Sequence, residues 1–524
     1  MKLLKKFIFN GLILTATSVI TRLLTIAFNV YITDMIGAAG VGTFSLIMSV
    51  YTFAVTFATS GIYLSATRIV SQQLVRSSGE GVRSAMKRCM LYAVFFGVAG
   101  MIILYALSDR IAVVWLGDVR TRSSLRILAL SLPPLALSNA LSGYFSAVRR
   151  VAKNSVTVIA EQLLRIVLTA VLLSANAGKG LEAASVCIVT GIVFSEALSF
   201  TVSFILYASD LKKVSTLAAP PSRGLTGELL RMALPIAVSS YVRSALVTLE
   251  HLLIPKGLLK HGASNEEALS SYGVISGMVF PVIFFPMAFL SAFTGLIVPE
   301  VTRYKESGND RAIEYVTGRI LKMTVIFSVC IAGVLACFSD VLASALYKNE
   351  EAGVYIRIFA LLIPVMYVDN ATDAVLKGLG EQFASMRYNI IDALVSVLLV
   401  FFLLPPFGIK GYIAAVYVCE ILNAVLSLSK LFRCVNVKVG IISSTAVTSA
   451  CVASAAGVTS ALFRWFGISY GEPVLTFTVG GVVITVIYSA FLLTVGFISD
   501  DEKKWFMRIF SKREKNSDFF AKTS

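Results

Sequence analysis

Long apolar runs separated by short polar or charged stretches recur along the whole chain, and the few polar positions inside those runs are regularly spaced. The runs reach about 20 residues, the length a helix needs to cross a bilayer, and lack the alternating ten-residue pattern of barrel strands. Fourteen spanning helices are predicted, at 7–32, 40–65, 88–107, 125–148, 154–175, 182–207, 228–254, 271–299, 319–338, 353–376, 386–405, 411–430, 440–464 and 474–498. The expected fold class is an all-α integral membrane protein of about 14 transmembrane helices.

In the first run Thr15, Ser18, Arg22, Thr25 and Asn29 follow one another at spacings of 3, 4, 3 and 4, which places them on one helical face. Ser45, Ser49, Thr52, Thr56 and Thr59 repeat that spacing in the second run. Such hydroxyls either pack helix against helix, at about 0.6 kcal/mol per hydrogen bond, or line a hydrated cavity. Arg22 separates these readings for the first run. An arginine near the bilayer centre costs about 2.5–3.5 kcal/mol on insertion scales and is kept where it faces a bundle interior or water.

The seventh run carries a second internal arginine, Arg243, with Glu250 seven residues further along the same face. A bridge between them through intervening polar groups, or a Glu250 and His251 pair reaching the outer interface, is the alternative to a cavity role. Two arginines would make a cavity electropositive and suit phosphate or diphosphate through their planar donor forks. The diphosphate-binding candidates are Arg22 and Arg243, and the expected cavity lining is Thr15, Ser18, Thr25, Asn29, Ser49, Thr52 and Glu250.

Glu161 and Arg165 stand one turn apart in the fifth run and are expected to neutralise each other. Asp392, in the eleventh run, lacks such a neighbour on its own helix because Ser396 stands one turn on; Asp369 and Asp373 are one turn apart in the tenth. These three aspartates are the candidates for a coupling cation, Na+ or H+. Pro281 and Pro286 should bend the eighth run.

The chain repeats. "LRILALSLPPLALSNA" from Leu125 resembles "IRIFALLIPVMYVDNA" from Ile356, an offset of 231 that holds through Arg126/Arg357, Asn139/Asn370 and Glu161/Asp392. More weakly, "SATRIVSQQ" resembles "VPEVTRYKE", which sets Arg68 beside Arg303. Two pseudo-symmetric six-helix lobes are expected, 1–210 and 227–435, joined by a cytoplasmic linker at 211–226 and followed by two further helices at 436–498 and a tail at 499–524. Repeats separated by an even number of spans share one orientation and enclose a central cavity between them.

The sequence is 57% hydrophobic and 15% charged with a net charge of +16, and topology explains the sign. With both termini cytoplasmic, 32 of the 46 lysines and arginines fall on the cytoplasmic side, 11 outside and 3 within spans (Arg22, Arg165 and Arg243). No nucleic-acid role is then needed. In the tail, Trp505, Phe506, Ile509 and Phe510 share a face flanked by Lys503, Lys504, Arg508 and Lys512, as expected of a helix lying on an anionic inner leaflet or of a solubilising tail. Seven cysteines without a C-x-x-C pair and two histidines suggest neither a disulfide framework nor a metal site. No Walker motif or Ser/His/Asp arrangement is present, so no enzyme and no cofactor are expected.

"IGAAGVGTFSLI", "SGIYLSATRIVS" and "TLEHLLIPKGL" resemble the stage V sporulation protein B and polysaccharide-biosynthesis flippases of the multidrug/oligosaccharidyl-lipid/polysaccharide (MOP) exporter superfamily, relatives of the lipid II flippases. The resemblance implies a MATE-like two-lobed fold in the bacterial cytoplasmic membrane. It also implies a cavity lined by the first, second, seventh and eighth helices, and alternating access that carries an undecaprenyl-diphosphate-linked saccharide outward; a monomer is expected. Arg22 matches a cavity arginine of the lipid II flippases, whereas Thr25 and Asn29 replace a glycine and a second basic residue. A cation-coupled multidrug exporter of the same architecture would instead concentrate acidic residues in the cavity. A non-transporting scaffold in envelope or spore assembly would tolerate loss of Arg22.

Overall fold

The computed structural model describes residues 2–59, 61–75, 79–176, 180–214, 225–437, 440–465 and 472–497. Among them there are helices and connections and no strand, as the apolar periodicity predicts. The tail at 499–524 and most of the expected linker lie outside the described residues.

The helices are α1 (Lys2–Thr59), α2 (Ile62–Val75), α3 (Gly79–Arg110), α4 (Thr121–Ala129), α5 (Leu132–Ala147), α6 (Val151–Ala175), α7 (Leu181–Val214), α8 (Leu225–His261), α9 (Asn265–Gly273), α10 (Phe280–Phe284), α11 (Met287–Glu306), α12 (Asp310–Cys337), α13 (Ser339–Tyr347), α14 (Glu350–Ala360), α15 (Ile363–Gly378), α16 (Gln382–Phe407), α17 (Ile409–Cys434), α18 (Ile441–Trp465) and α19 (Pro473–Thr494). Among the described residues, eleven stretches are long and apolar enough to cross a membrane, or thirteen when the bent pairs α4 with α5 and α14 with α15 each count as one span. One of the eleven, Thr15–Leu74, contains two predicted spans. At about 1.5 Å per residue it is roughly three times as long as a bilayer core is thick. Its kink is at Gly37, whose φ of 69° a side chain would strain.

Proline positions explain the interruptions. Pro133 and Pro364 occupy the first turns of α5 and α15, where a missing N–H costs nothing, and each helix starts afresh there after a bend. In the eighth predicted span a π-helical turn, Val274–Val279, precedes Pro281, and the helix breaks again before Met287, beside Pro286.

The chain forms two compact units, residues 1–292 with 386–419 and residues 293–385 with 420–524. The first has a core around Val70, Met86, Leu141, Tyr144 and Phe145. The second is built around Leu321, Val325, Ala371, Val375, Leu376 and Leu431, with Ile484 and Tyr488 of α19 packed in.

Within the first unit α1 and α9 meet backbone to backbone. A Cβ added to Gly42 would lie 2.0 Å from the Leu269 carbonyl oxygen, and one added to Gly273 would lie 2.1 Å from that of Ala38. Only glycine allows this approach.

Candidate functional site

The second polar stripe is used mostly for packing. The Thr248 hydroxyl donates to the Ser49 carbonyl (3.1 Å), Ser244 to the Thr56 hydroxyl (3.2 Å) and Tyr241 to the Phe57 carbonyl (3.1 Å), so α8 is fastened along the second half of α1. Ser49 and Thr56 also donate to carbonyls of their own helix, at Leu46 and Thr52. Thr52 is exposed, and its hydroxyl donates to Met48.

On the first stripe Thr25 donates to the Thr21 carbonyl and accepts a long bond from Gln162 of α6 (3.4 Å). Thr15, Ser18 and Asn29 are half-buried, and Arg22 is exposed, with no hydrogen-bond or ion-pair partner among the described residues. Arg243 is likewise exposed and without an ion pair among them. It lies within electrostatic reach of Asp392 on α16. Asp392 thus has a neighbouring cation after all, supplied by another helix.

Glu250 lies within electrostatic reach of Ser396 and Asp392. Arg243, Asp392, Ser396 and Glu250 therefore form one polar group between α8 and α16, two carboxyls with one guanidinium nearby. Asp392 Oδ1 is buried without a hydrogen-bond partner among the described residues.

The other two aspartates, in the second unit, are engaged. Asp369 accepts from Asn423 (3.0 Å), while Asp373 accepts from Ser385 (2.7 Å) and pairs with Lys377 at 3.6 Å.

Glu161 and Arg165 do pair, at 2.7 Å, but not in isolation. Glu196 of α7 approaches the same guanidinium at 3.0 Å and Ser195 accepts from its Nε at 3.3 Å. Glu196 escaped the sequence reading although it is visible there, as a lone carboxylate inside "GIVFSEALSF". No group of three or more His, Cys, Asp or Glu side chains able to hold a metal ion occurs among the described residues.

Residues 7–263 match the model of a polysaccharide biosynthesis protein family, and residues 261–402 that of the MatE family. Stage V sporulation protein B of Bacillus subtilis is 22% identical over 506 residues, 95% of this chain and 96% of that protein. The chain is thus homologous over most of its length to proteins of the MOP exporter superfamily. Two further members show the breadth of that superfamily. The lipid II flippase MurJ of Bacillus subtilis is 21% identical over 525 residues, 94% of this chain and 95% of that one. The multidrug export protein MepA of Staphylococcus aureus is 24% identical over 357 residues, 64% and 74% of the two chains.

Solved MOP structures share the fold. A lipid II flippase MurJ in an inward closed conformation gives a TM-score of 0.65 at 13% identity, covering 93% of this chain and 99% of that one. An inward-facing multidrug resistance MATE family transporter gives 0.64 at 14% identity, covering 81% and 98%. These relatives are transporters and not enzymes, and the chain is a multi-pass membrane transporter of the MOP type.

Proposed function

We propose that the chain is a flippase that moves an undecaprenyl-diphosphate-linked oligosaccharide, a cell-wall precursor or surface-polysaccharide unit, across the bacterial cytoplasmic membrane by alternating access. One observation carries this reading. Of the three arginines within predicted spans, Arg165 is held by two carboxylates, whereas Arg22 and Arg243 are exposed and free of any ion pair among the described residues. Arg22 has no counter-ion among the described residues and Arg243 has only Asp392 within electrostatic reach, so both stay open to an anionic cargo, and two guanidiniums can clamp a diphosphate.

Thr15, Ser18, Thr25, Asn29, Ser49 and Thr52 would offer the sugar a hydrated path, with the lipid tail left in the bilayer. The six-helix lobes, the linker between them, the cytoplasmic termini and the monomeric state belong to the same proposal. So does the tail's attachment to an anionic inner leaflet. Asp392 with Glu250 is the favoured coupling-cation position, for Na+ or H+, because two carboxyls face each other there, whereas Asp369 accepts from Asn423 and Asp373 is paired with Lys377.

The test is native mass spectrometry of the purified protein in nanodiscs with undecaprenyl-diphosphate sugars, comparing Arg22→Ala and Arg243→Ala with the unaltered chain. Binding that collapses in both variants supports the diphosphate site. Absent binding, or binding indifferent to both arginines, favours the drug exporter or the scaffold.

A further inference from the structure

The cluster of Glu161, Arg165 and Glu196 holds more negative charge than it needs. An i,i+4 pair of Glu161 with Arg165 would already be neutral, yet Glu196, 8% exposed, brings a second carboxylate to the same guanidinium. An uncompensated charge in a membrane interior is expensive unless the group is neutralised. Both carboxyls reach the same Nη2 of Arg165, at 2.7 and 3.0 Å, which brings them close to each other. Two carboxylates are both acceptors, so they can bond to each other only when one of them carries a proton.

Among the described residues, the titratable groups facing the pair are Arg165 on α6 and Tyr51 on α1. Tyr51 does not supply the proton. Ser131 donates to the Leu128 carbonyl at 2.7 Å, so the tyrosine hydroxyl, 2.5 Å from Ser131, donates its own hydrogen there. The presence of Arg165 also disfavours a metal cation as the neutralising species, because a second cation would have to share the same carboxylates.

We propose that Glu161, Arg165 and Glu196 form a proton-binding site inside the membrane, a single proton shared by two carboxylates, loaded and unloaded during transport. Binding forms one O–H bond on a carboxylate and leaves the cluster neutral; release breaks that bond, returns the proton to water and leaves one net negative charge. The existence of the site is independent of the cargo, while its loading and unloading rest on the transporter activity. By the repeat, Glu161 corresponds to Asp392 and Arg165 to Ser396. The same helix pair of positions thus carries a polar group in each half, with the fixed cation on the helix in one case and on a neighbouring helix in the other.

Infrared difference spectroscopy of the protein in nanodiscs, taken across a pH titration, tests the site directly. The unaltered chain should show a protonated carboxylic acid signal, one group per chain, that is lost in Glu161→Gln and again in Glu196→Gln. Each variant retains one carboxylate against Arg165 and stays neutral without a proton, which favours folding, and either alone suffices if the other fails to express. Glu250→Gln and Asp392→Asn should leave that signal in place. A carboxylic acid signal unchanged by both glutamine variants, or none at any pH at which the protein stays folded, would overturn the proposal. Neither result bears on the diphosphate reading, which stands or falls on lipid binding by Arg22 and Arg243.

Discussion

Arg126 and Arg357 stand 231 residues apart and hold equivalent partners. Arg126 donates through Nε to Ser108 at 3.1 Å and pairs with Asp109 at 3.1 Å; Arg357 donates through Nε to Ser339 at 3.2 Å and pairs with Asp340. Each clasp ties a serine–aspartate pair, in the last turn of α3 in one case and the first turn of α13 in the other, to the first helix of a bent pair. Both pairs are about half-exposed, so each arginine's ion pair should contribute no more than about 1 kcal/mol. Arg126→Ala and Arg357→Ala are therefore expected to lower the melting temperature slightly and alike, and a double-mutant cycle with Asp109→Ala or Asp340→Ala measures the coupling. Strong unfolding by either variant would show a larger role.

Two further ion-paired groups, one in each unit, differ in burial. Asp210, 1% exposed, accepts from Lys153 at 2.6 Å and pairs with Arg150, whereas Glu381 and Lys430 are 3.1 Å apart and more open. Asp210→Ala strands two cations and should cost about 3 kcal/mol. Glu381→Ala should cost about 1 kcal/mol or less. Thermal unfolding in detergent ranks the two, and equal losses would contradict the burial argument.

Gly42 and Gly273 leave no room for a methyl group, since their neighbours are backbone carbonyls. At Gly277 the obstacle is the Val41 side chain, at 2.1 Å, which can change rotamer. Alanine at Gly42 or Gly273 should destabilise by about 1–3 kcal/mol through separation of α1 from α9, and more than alanine at Gly277. Melting curves of the three single variants give the order.

A cysteine scan in a background lacking the seven native cysteines distinguishes lining from packing. Cysteine at Thr52 or Arg22 should react with a membrane-impermeant thiol reagent, because both positions are exposed; cysteine at Ser131, which is fully buried, should not. Labelling of Thr52 and Arg22 only by a lipid-soluble reagent would remove the hydrated-path reading.

The all-helical class and the outline of the spans were legible because apolar length and punctuation are local properties. The turn after α5 illustrates how far the repeat extends: Arg149 and Gly380, related by the same offset of 231, both adopt positive φ, at 56° and 75°. What escaped the sequence were partners from other helices. Thr56 and Ser49 lie on a regular stripe, but spacing along one helix cannot say that α8 covers that stripe. Asp392 looked isolated along α16 because its neighbouring guanidinium comes from α8. Glu196 could have been flagged as an intramembrane carboxylate, yet only the structure brings it to Arg165.

The ion pairs of Asp210 and of Glu381 have opposite polarity. In the first half the cation Arg150 precedes its helix and the acid Asp210 closes the next one; in the second half Glu381 occupies the position of Arg150, and the cation, Lys430, sits near the end of the next helix. Halves of common ancestry risk exchanging equivalent helices while the chain is being inserted, since their apolar faces are alike. A swapped arrangement would set Arg150 against Lys430, or Asp210 against Glu381, and like charges would meet. The reversed polarity would therefore set a charge penalty on any exchange of equivalent helices between the halves.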